Sequence, residues 1–221
     1  GDVYKRQSYI SDNTDIVLGV NDREDLLLCE RVLVARENKK RLKAGVMIHN
    51  PETTYIDPQA IIDEDVELWG FVKIIGACEI KSDTVIYNST IKDMKIGNDC
   101  ILKNVDMEDS VIGDNVSFGP FARVRPGSRV EDNVKVGNFV EIKNSNFGQG
   151  SKAGHLAYIG DADVGADVNI GCGVVFANYD GKNKHRTTVE DKAFIGSNST
   201  LVAPVKVGEN AFIAAGTVAT K

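Results

Sequence analysis

An apolar residue recurs every six positions along most of this chain, and this period limits the possible folds more than any other feature. One interrupted series runs through Ile56, Ile62, Leu68, Ile74, Ile80, Ile86, Ile91, Ile96, Leu102, Ile112, Phe118, Val124, Val130, Val136, Ile142, Phe147, Ala153, Ile159, Val164, Ile170, Phe176, Val189, Ile195, Leu201, Val207 and Ile213. Such a short fixed period predicts stacked units of one strand and one turn, which is a parallel β-helix over residues 56–221.

Glycine often follows the periodic residue, and a small or β-branched residue often lies two positions before it, as in Val134-Lys135-Val136-Gly137. Glycine suits turns whose backbone has positive φ. The period itself does not determine the hand of the coil. The general rule for crossovers between parallel strands predicts a right-handed coil.

A helix is predicted before the coil, over about residues 22–44. Asn21 is the expected N-cap, with Glu24 as its capping-box partner, and Gly45 is the expected C-terminal stop. An apolar run at residues 16–20 resembles the end of a strand. We therefore divide the chain into residues 1–20 as the remnant of a preceding domain, with 1–7 a possible artefact, and 21–55 as helix and connector.

Composition narrows the classes of partner. The formal net charge is −6, opposite in sign to a general nucleic-acid-binding surface. The sequence contains no apolar run long enough to span a membrane and no signal-peptide pattern. None of the four cysteines has CxxC spacing, so we expect small buried residues in a reducing cytoplasm.

His155 is the leading candidate for the chemical centre. It lies in the segment GSKAGHLAYIGD, close to many polar side chains that a solenoid core does not need. A turn histidine bonded to the backbone is the alternative. The polar neighbours within one or two predicted coils are Glu141, Lys143, Tyr158, Asn169, Asn178 and Tyr179. Such a concentration of polar residues favours a functional site.

Residues 177–188 interrupt the period and carry a run of positive charge. Charge runs are usually solvated, but a long loop that breaks a regular solenoid is often functional. With Arg125 and Lys143, the cations Lys182, Lys184, His185 and Arg186 are candidates for holding a phosphate group.

Two other kinds of site are less well supported. Cys172 lies between two glycines, which indicates close approach to its backbone rather than a nucleophilic thiol. A zinc site built from three histidines is rejected, because His49 and His185 are in the connector and the loop, away from His155.

A family resemblance covers these same residues. The run RPG…VGNFVEIK…SKAGHLAYIGDA…VNIGCG…NYDGKNK…T resembles the acetyltransferase domain of the bacterial bifunctional enzymes of UDP-N-acetylglucosamine synthesis. The likeness is close from Phe118 to Thr187 and weaker over residues 57–221. LGVNDREDLLLCERVL resembles the end of the uridylyltransferase domain and its linking helix.

The resemblance implies acetyl transfer from acetyl-CoA to the 2-amino group of glucosamine 1-phosphate. His155 would be the general base, and Glu141 would orient it. The residues implied to hold the phosphate and sugar are Arg125, Lys143, Tyr158, Lys184 and Asn169. Those implied to line the acetyl-CoA site are Asn178, Tyr179, Ser197, Ala215 and, through its backbone, Cys172, where the family often has alanine.

The resemblance also implies a left-handed coil and a homotrimer with sites between subunits. The poorly charged stretch 134–142 independently favours burial against another copy. Uridylyl transfer is not expected from this chain, because the family's nucleotide-binding domain is absent from it. The family's C-terminal tail, which supplies a basic residue to coenzyme A, is also absent. Asn21 would be one ligand of that domain's magnesium. A hexapeptide acyltransferase with another acceptor, or a structural or regulatory β-helix, are the alternative functions.

Overall fold

The computed structural model describes residues 18–221, and it consists of one helix followed by a three-sided parallel coil. The helix spans Arg23–Lys43, and a short 3-10 turn spans Pro51–Thr53. Each full coil contributes one strand to each of three sheets, in the order first, second, third sheet. The predicted strand at residues 16–20 falls partly outside the described residues, and 18–20 are not in a strand.

The strands are short, and every pair between neighbouring coils is parallel. The first sheet contains Met47–Ile48, Glu67–Trp69, Val85–Tyr87, Ile101–Lys103, Ser117–Phe118, Lys135–Asn138, Lys152–His155, Asn169–Ile170, Phe194–Ile195 and Phe212–Ile213. The second contains Thr54–Ile56, Val72–Ile75, Thr90–Lys92, Asp106–Glu108, Arg123–Arg125, Glu141–Lys143, Tyr158–Gly160, Val175–Ala177, Thr200–Val202 and Val218–Ala219. The third contains Ile61–Ile62, Glu79–Ile80, Lys95–Ile96, Ser110–Ile112, Ser128–Val130, Asn146–Phe147, Ala162–Val164, Thr187–Val189 and Lys206–Val207.

The hexapeptide series forms the core, as predicted. Every periodic residue from Ile56 to Val207 is buried, and Ile213 packs against the core from a half-buried position. Stacked positions come from successive coils, as with Val124, Ile142 and Ile159. The coil begins before residue 56, because Met47–Ile48 already pairs with Glu67–Trp69.

The corners of the coil use left-handed backbone. We call the turn between the first and second sheets the first corner, and the turn between the second and third sheets the second corner. At the first corner most coils place glycine or asparagine in this conformation, such as Gly70, Asn88 and Asn198. Phe121 and Phe139 depart from that pattern, with φ of 60° and 57°.

The helix begins one residue later than predicted. Asp22, rather than Asn21, is the N-cap, and its carboxylate accepts from the amides of Glu24 and Asp25. Asp25 takes the reciprocal role expected of Glu24, since it accepts from the backbone N–H of Asn21 at 3.0 Å. The helix ends at Lys43, and Gly45 follows the C-cap residue Ala44 with φ of 95°.

The helix packs on the coil through polar side chains near its C-terminal end. Asn38 is buried and donates to the backbone oxygens of Pro51 and Thr54 at 2.8 and 2.9 Å. Arg41 is also buried and pairs with Glu37 at 2.7 Å. Five leucines of the helix remain exposed: Leu26, Leu27, Leu28, Leu33 and Leu42.

The cysteines follow the prediction in part. Cys78 and Cys100 are buried, and burial raises the pKa of Cys100 to about 11, which disfavours the thiolate. Cys29 and Cys172 are half-buried. Within residues 18–221, the structure contains no helix with the length and hydropathy needed to cross a bilayer.

Candidate active site

His155 lies at the first corner, at the end of the strand Lys152–His155. The parallel register places it directly above Asn138 of the preceding coil. Its Nδ1 lies 2.6 Å from Asn138 Oδ1, and the ring is exposed. An amide oxygen only accepts hydrogen bonds, so Nδ1 carries a proton, and in the neutral ring Nε2 is the nitrogen with the lone pair. This tautomer presents a base to solvent.

The outer face of the second sheet extends from His155 towards the second corner. Glu141 and Tyr158 are Cα partners on this face, and Arg125 is the partner of Lys143. The Arg125 guanidinium donates to Glu141 at 3.1 Å. Glu141 is therefore paired with Arg125 here, while the side-chain hydrogen bond of His155 is with Asn138. The orienting role of Glu141 stays a prediction.

Tyr158 depends on a glycine two residues later. A Cβ at Gly160 would lie 2.4 Å from the Tyr158 hydroxyl oxygen, so any other residue would displace the phenol. That hydroxyl accepts a 3.4 Å hydrogen bond from Asn178. The ring is held half-exposed on the second sheet, between His155 and the second corner.

Lys143 is fixed by a buried carboxylate. Its Nζ lies 3.0 and 3.3 Å from the two carboxylate oxygens of Asp161. Burial opposes the charge on Lys143, but the contact with Asp161 outweighs burial and raises the pKa of the ammonium. Lys143 is thus held charged at the second corner.

Lys184 approaches the same point from the loop at residues 178–186. The nearby Lys143 ammonium lowers the pKa of Lys184, and Arg125 adds to the repulsion. Three cationic side chains therefore converge at the second corner. Arg125 and Lys143 are each paired with a carboxylate, and Lys184 adds a further positive charge that complements a phosphate group.

Two other basic residues of the loop, His185 and Arg186, are already paired with carboxylates. His185 Nε2 lies 2.7 Å from Asp180, and hydrogen bonds from the Asn183 amide, His185 and the Lys182 amide lower the pKa of Asp180 to about 2. Arg186 makes two hydrogen bonds to Asp163, at 2.9 and 2.6 Å. These contacts fasten the loop to itself and to the coil. Of the four loop cations named from the sequence, Lys184 is the one that joins the cluster at the second corner.

The predicted coenzyme residues fall in two places. Cys172, Ser197 and Ala215 lie at the first corner in three successive coils above His155. Their backbones are stacked, since Asn198 N–H donates to Cys172 O at 2.7 Å and Gly216 N–H donates to Ser197 O at 2.8 Å. Asn178 and Tyr179 lie instead at the second corner, where Tyr179 is exposed.

Two predicted residues lie outside this group. Asn169 is on the first sheet, in register with Lys152, and is half-buried. Asn21 lies at the start of the helix, where its side chain donates to Asp25 at 3.2 Å. Within a single chain, neither residue lies on the second sheet.

Asn138 and Asp161 were not predicted as site residues, although the repeat period shows which residues stack on them. Val136 and Ala153 are successive core residues of the same sheet, which sets a spacing of 17 residues between coils there. The same spacing places His155 above Asn138 and Asp161 above Asn144. Counting residues between coils would have identified both neighbours.

The comparisons with known proteins agree with the parallel coil seen in the structure. The family model "Bacterial transferase hexapeptide (six repeats)" matches residues 109–144 and 186–221. A bifunctional protein GlmU of Caldicellulosiruptor saccharolyticus is 50% identical over 213 residues, which are 96% of this chain and 46% of that protein. GlmU of Thermosipho melanesiensis is 49% identical over 211 residues, or 95% of this chain and 47% of that protein.

Shouchella clausii GlmU is 47% identical over 214 residues, again 96% of this chain and 47% of the relative. This chain thus spans about half the length of the curated relatives it matches. Among solved structures, an Arabidopsis UDP-N-acetylglucosamine acyltransferase is 16% identical with a TM-score of 0.45. Its alignment covers 79% of this chain and 68% of that one, a similarity too loose to identify an activity.

The hexapeptide repeats and the three-sided coil also bear on the handedness of the β-helix. They agree with the left-handed coil implied by the family resemblance, and the right-handed coil predicted from the crossover rule is wrong. That rule describes crossovers in which a helix packs back on the sheet, whereas the connections here are short corners. The chain is therefore a left-handed β-helix of the bacterial hexapeptide-repeat class and a homologue of one half of the bifunctional GlmU proteins.

Proposed function

We propose that this chain transfers the acetyl group of acetyl-CoA to the 2-amino group of glucosamine 1-phosphate. The observation that carries the proposal is an imidazole and a group of three cationic side chains on either side of one sheet face. His155 is at one edge of the second sheet, and Arg125, Lys143 and Lys184 converge at the other. An amino sugar with a phosphate has the two groups that this face could bind.

The transfer is direct in this mechanism. The amine attacks the thioester carbonyl carbon, and His155 Nε2 takes the amine proton. The tetrahedral intermediate then collapses as its C–S bond breaks, and the coenzyme leaves as a thiol with the proton returned by the imidazolium. Asn138 keeps the ring in the required tautomer through Nδ1. The phosphate contacts position the amine, which lowers the entropic part of the barrier.

Phosphate binding should be accompanied by proton uptake at alkaline pH. Lys184 has a lowered pKa in the free protein because of Lys143, and a bound phosphate dianion would offset that repulsion and raise the pKa again. Protons should therefore be taken up just below the ordinary lysine range. Calorimetry with inorganic phosphate in two buffers of different ionisation enthalpy measures this uptake. Lys184→Met should abolish it, and unchanged uptake in that variant would exclude Lys184 as the source.

A homotrimer is part of the proposal, because the first corner carries an exposed apolar ridge. Phe121, Phe139 and Leu156 occupy that corner in three successive coils, with exposures of 60%, 53% and 57%. The two phenylalanine rings are stacked at 5.5 Å. All three residues have positive φ, which is unfavourable for bulky side chains. Burial against a second copy would offset both this strain and the exposed apolar area.

The trimer also explains why the residues predicted to bind acetyl-CoA lie at two different corners of one chain. Cys172, Ser197 and Ala215 lie at the first corner, and Asn178 and Tyr179 lie at the second. In a closed ring of three chains, the first corner of one copy can face the second corner of its neighbour. Acetyl-CoA would then bind between subunits, with its thioester near His155 at the ridge.

A comparison of acceptors tests the proposed activity. Thiol release from acetyl-CoA is measured with glucosamine 1-phosphate, glucosamine and serine at equal concentrations. We expect the sugar phosphate to react with the highest kcat/KM. It is the one acceptor of the three whose phosphate can bind the cationic cluster. A preference for serine would indicate a hydroxyl acceptor, and no thiol release with any of the three would favour a structural β-helix.

A further inference from the structure

Asp161 is a buried carboxylate at the second corner, directly after the strand Tyr158–Gly160. It is 4% exposed and has φ of 51°. Three side-chain donors meet its two oxygens: Lys143 Nζ at 3.0 Å, Asn144 Nδ2 at 2.6 Å, and Asn178 Nδ2. Burial opposes its ionisation, but the hydrogen bonds from Asn144, Lys143 and Asn178 together lower the pKa of the carboxyl. Protein donors therefore take the place of the water molecules that would otherwise stabilise this charged carboxylate.

The backbone of Asp161 connects the same parts of the structure. Its N–H donates to Lys143 O at 2.9 Å, and its carbonyl oxygen accepts from Thr187 N–H at 3.1 Å. Asn178 and Thr187 stand at the two ends of the loop at residues 178–186, which carries Lys184. One residue thus contacts Lys143 and both ends of this loop.

A buried charge at this point needs an explanation beyond stability. Buried ion pairs are often replaceable by neutral groups without loss of stability, because desolvation cancels much of their attraction. The Lys143 side chain is 15% exposed and that of Asp161 is 6% exposed, so both charges are largely removed from water. The pair does hold an ammonium group at a defined position beside Arg125 and Lys184.

We propose that Asp161 is a positioning residue, which holds the Lys143 ammonium and the loop carrying Lys184 in the geometry that binds the acceptor's phosphate. Asp161 itself does not touch the acceptor in this account. Its carboxylate would repel a phosphate, and its oxygens are already occupied by three donors. The inference rests on the proposed function, since it assigns the cationic cluster to a phosphate-bearing substrate.

Asp161→Asn is the central test, and Asp163→Asn is its matched control. Asp163 is a neighbouring carboxylate that also fastens the loop, through Arg186, but it has no contact with Lys143. The readout is kcat/KM for glucosamine 1-phosphate divided by that for glucosamine. Asp161→Asn should lower this ratio by about 10- to 100-fold, as expected for loss of a fixed charge contact worth about 1.4–2.8 kcal/mol. Asp163→Asn should leave it unchanged, because Arg186 keeps its hydrogen bonds to Asn144 O at 3.0 Å and Ala162 O at 2.8 Å and so still anchors the loop. Equal losses on both acceptors in Asp161→Asn would indicate a merely structural residue and overturn the proposal.

A double-mutant cycle tests whether Asp161 acts through Lys143. The effects of Asp161→Asn and Lys143→Met on the ratio should add only in part, because the Lys143 contact is lost in both and the loop carrying Lys184 is affected in Asp161→Asn alone. Additive losses would show that Asp161 acts by another route. The double variant also guards against misfolding, because it removes both buried charges and leaves no charge unpaired.

Binding of inorganic phosphate separates this inference from the proposed activity. Calorimetry on the whole chain should give a dissociation constant at least about tenfold weaker in Asp161→Asn than in the parent, with Asp163→Asn unchanged. If the parent binds phosphate but acetylates no acceptor, the proposed function fails and the inference stands. If Asp161→Asn binds phosphate as tightly as the parent, the inference fails whatever the activity.

Discussion

Replacing His155 with alanine should lower kcat for acetyl transfer to glucosamine 1-phosphate by about 10²–10⁴, the usual contribution of a general base. KM for both substrates should change little, since proton transfer is felt mainly in the transition state. The fold should survive, because the ring is exposed at a corner and its side-chain hydrogen bond is with Asn138. Steady-state kinetics with thermal melting of the same samples measures both effects.

His49 provides the matched control for this substitution. It is a histidine at the other end of the coil, stacked on Trp69 with ring centroids 3.3 Å apart. His49→Ala should keep the parent kcat, even if it lowers the melting temperature. A folded His155→Ala protein with near-parent kcat would remove His155 from the chemistry.

Replacing Phe139 with aspartate should convert the proposed trimer to monomers of 24.0 kDa and abolish most of the activity. The substitution introduces a charge into the centre of the ridge formed with Phe121 and Leu156, where an unpaired charge would be buried on association. The isolated coil should tolerate it. Aspartate accepts positive φ more readily than phenylalanine, and the φ of 57° at this position is unfavourable for the native ring. Light scattering measures the mass, and thiol release measures the activity.

Ile61→Asp is the control for the ridge. Ile61 is 59% exposed, comparable to Phe139, but it lies on the third sheet near the base of the coil. It should leave both the mass and the activity at the parent values. A parent protein that is monomeric and fully active would contradict the trimer and the sites between subunits.

The core of the fold was predictable because its signal is local and repeated. Each coil must place an apolar side chain inside at the same position of each strand, so the series from Ile56 to Val207 could be read directly. The N-cap was misplaced by one residue because Asn21 and Asp22 both suit the position, and only the backbone geometry selects Asp22. The contact between the helix and the coil was not predictable from hydrophobicity, because it is made by the polar side chains of Asn38 and Arg41.

The candidate site was predictable in its residue types but less so in its pairings. The concentration of polar residues indicated His155 and the cations, and the family resemblance implied their roles. The partners seen here, however, depend on which residues stack between coils. A deletion of one residue in the period changes that stacking, and it brings Asn138 to His155 and Asn144 to Asp161. The charge run alone did not separate the loop cations, although the family resemblance implied Lys184. His185 and Arg186 differ from it by their contacts with Asp180 and Asp163.

Acetyl-CoA labelled with ¹³C at the carbonyl carbon tests the central claim most directly. The protein is mixed with labelled acetyl-CoA and glucosamine 1-phosphate, and the product is followed by NMR and mass spectrometry. The account predicts that the label appears as the amide carbon of N-acetylglucosamine 1-phosphate, at a rate that falls by about 10²–10⁴ in His155→Ala. Label recovered as an oxygen ester, attached to the protein, or unchanged in acetyl-CoA would contradict it.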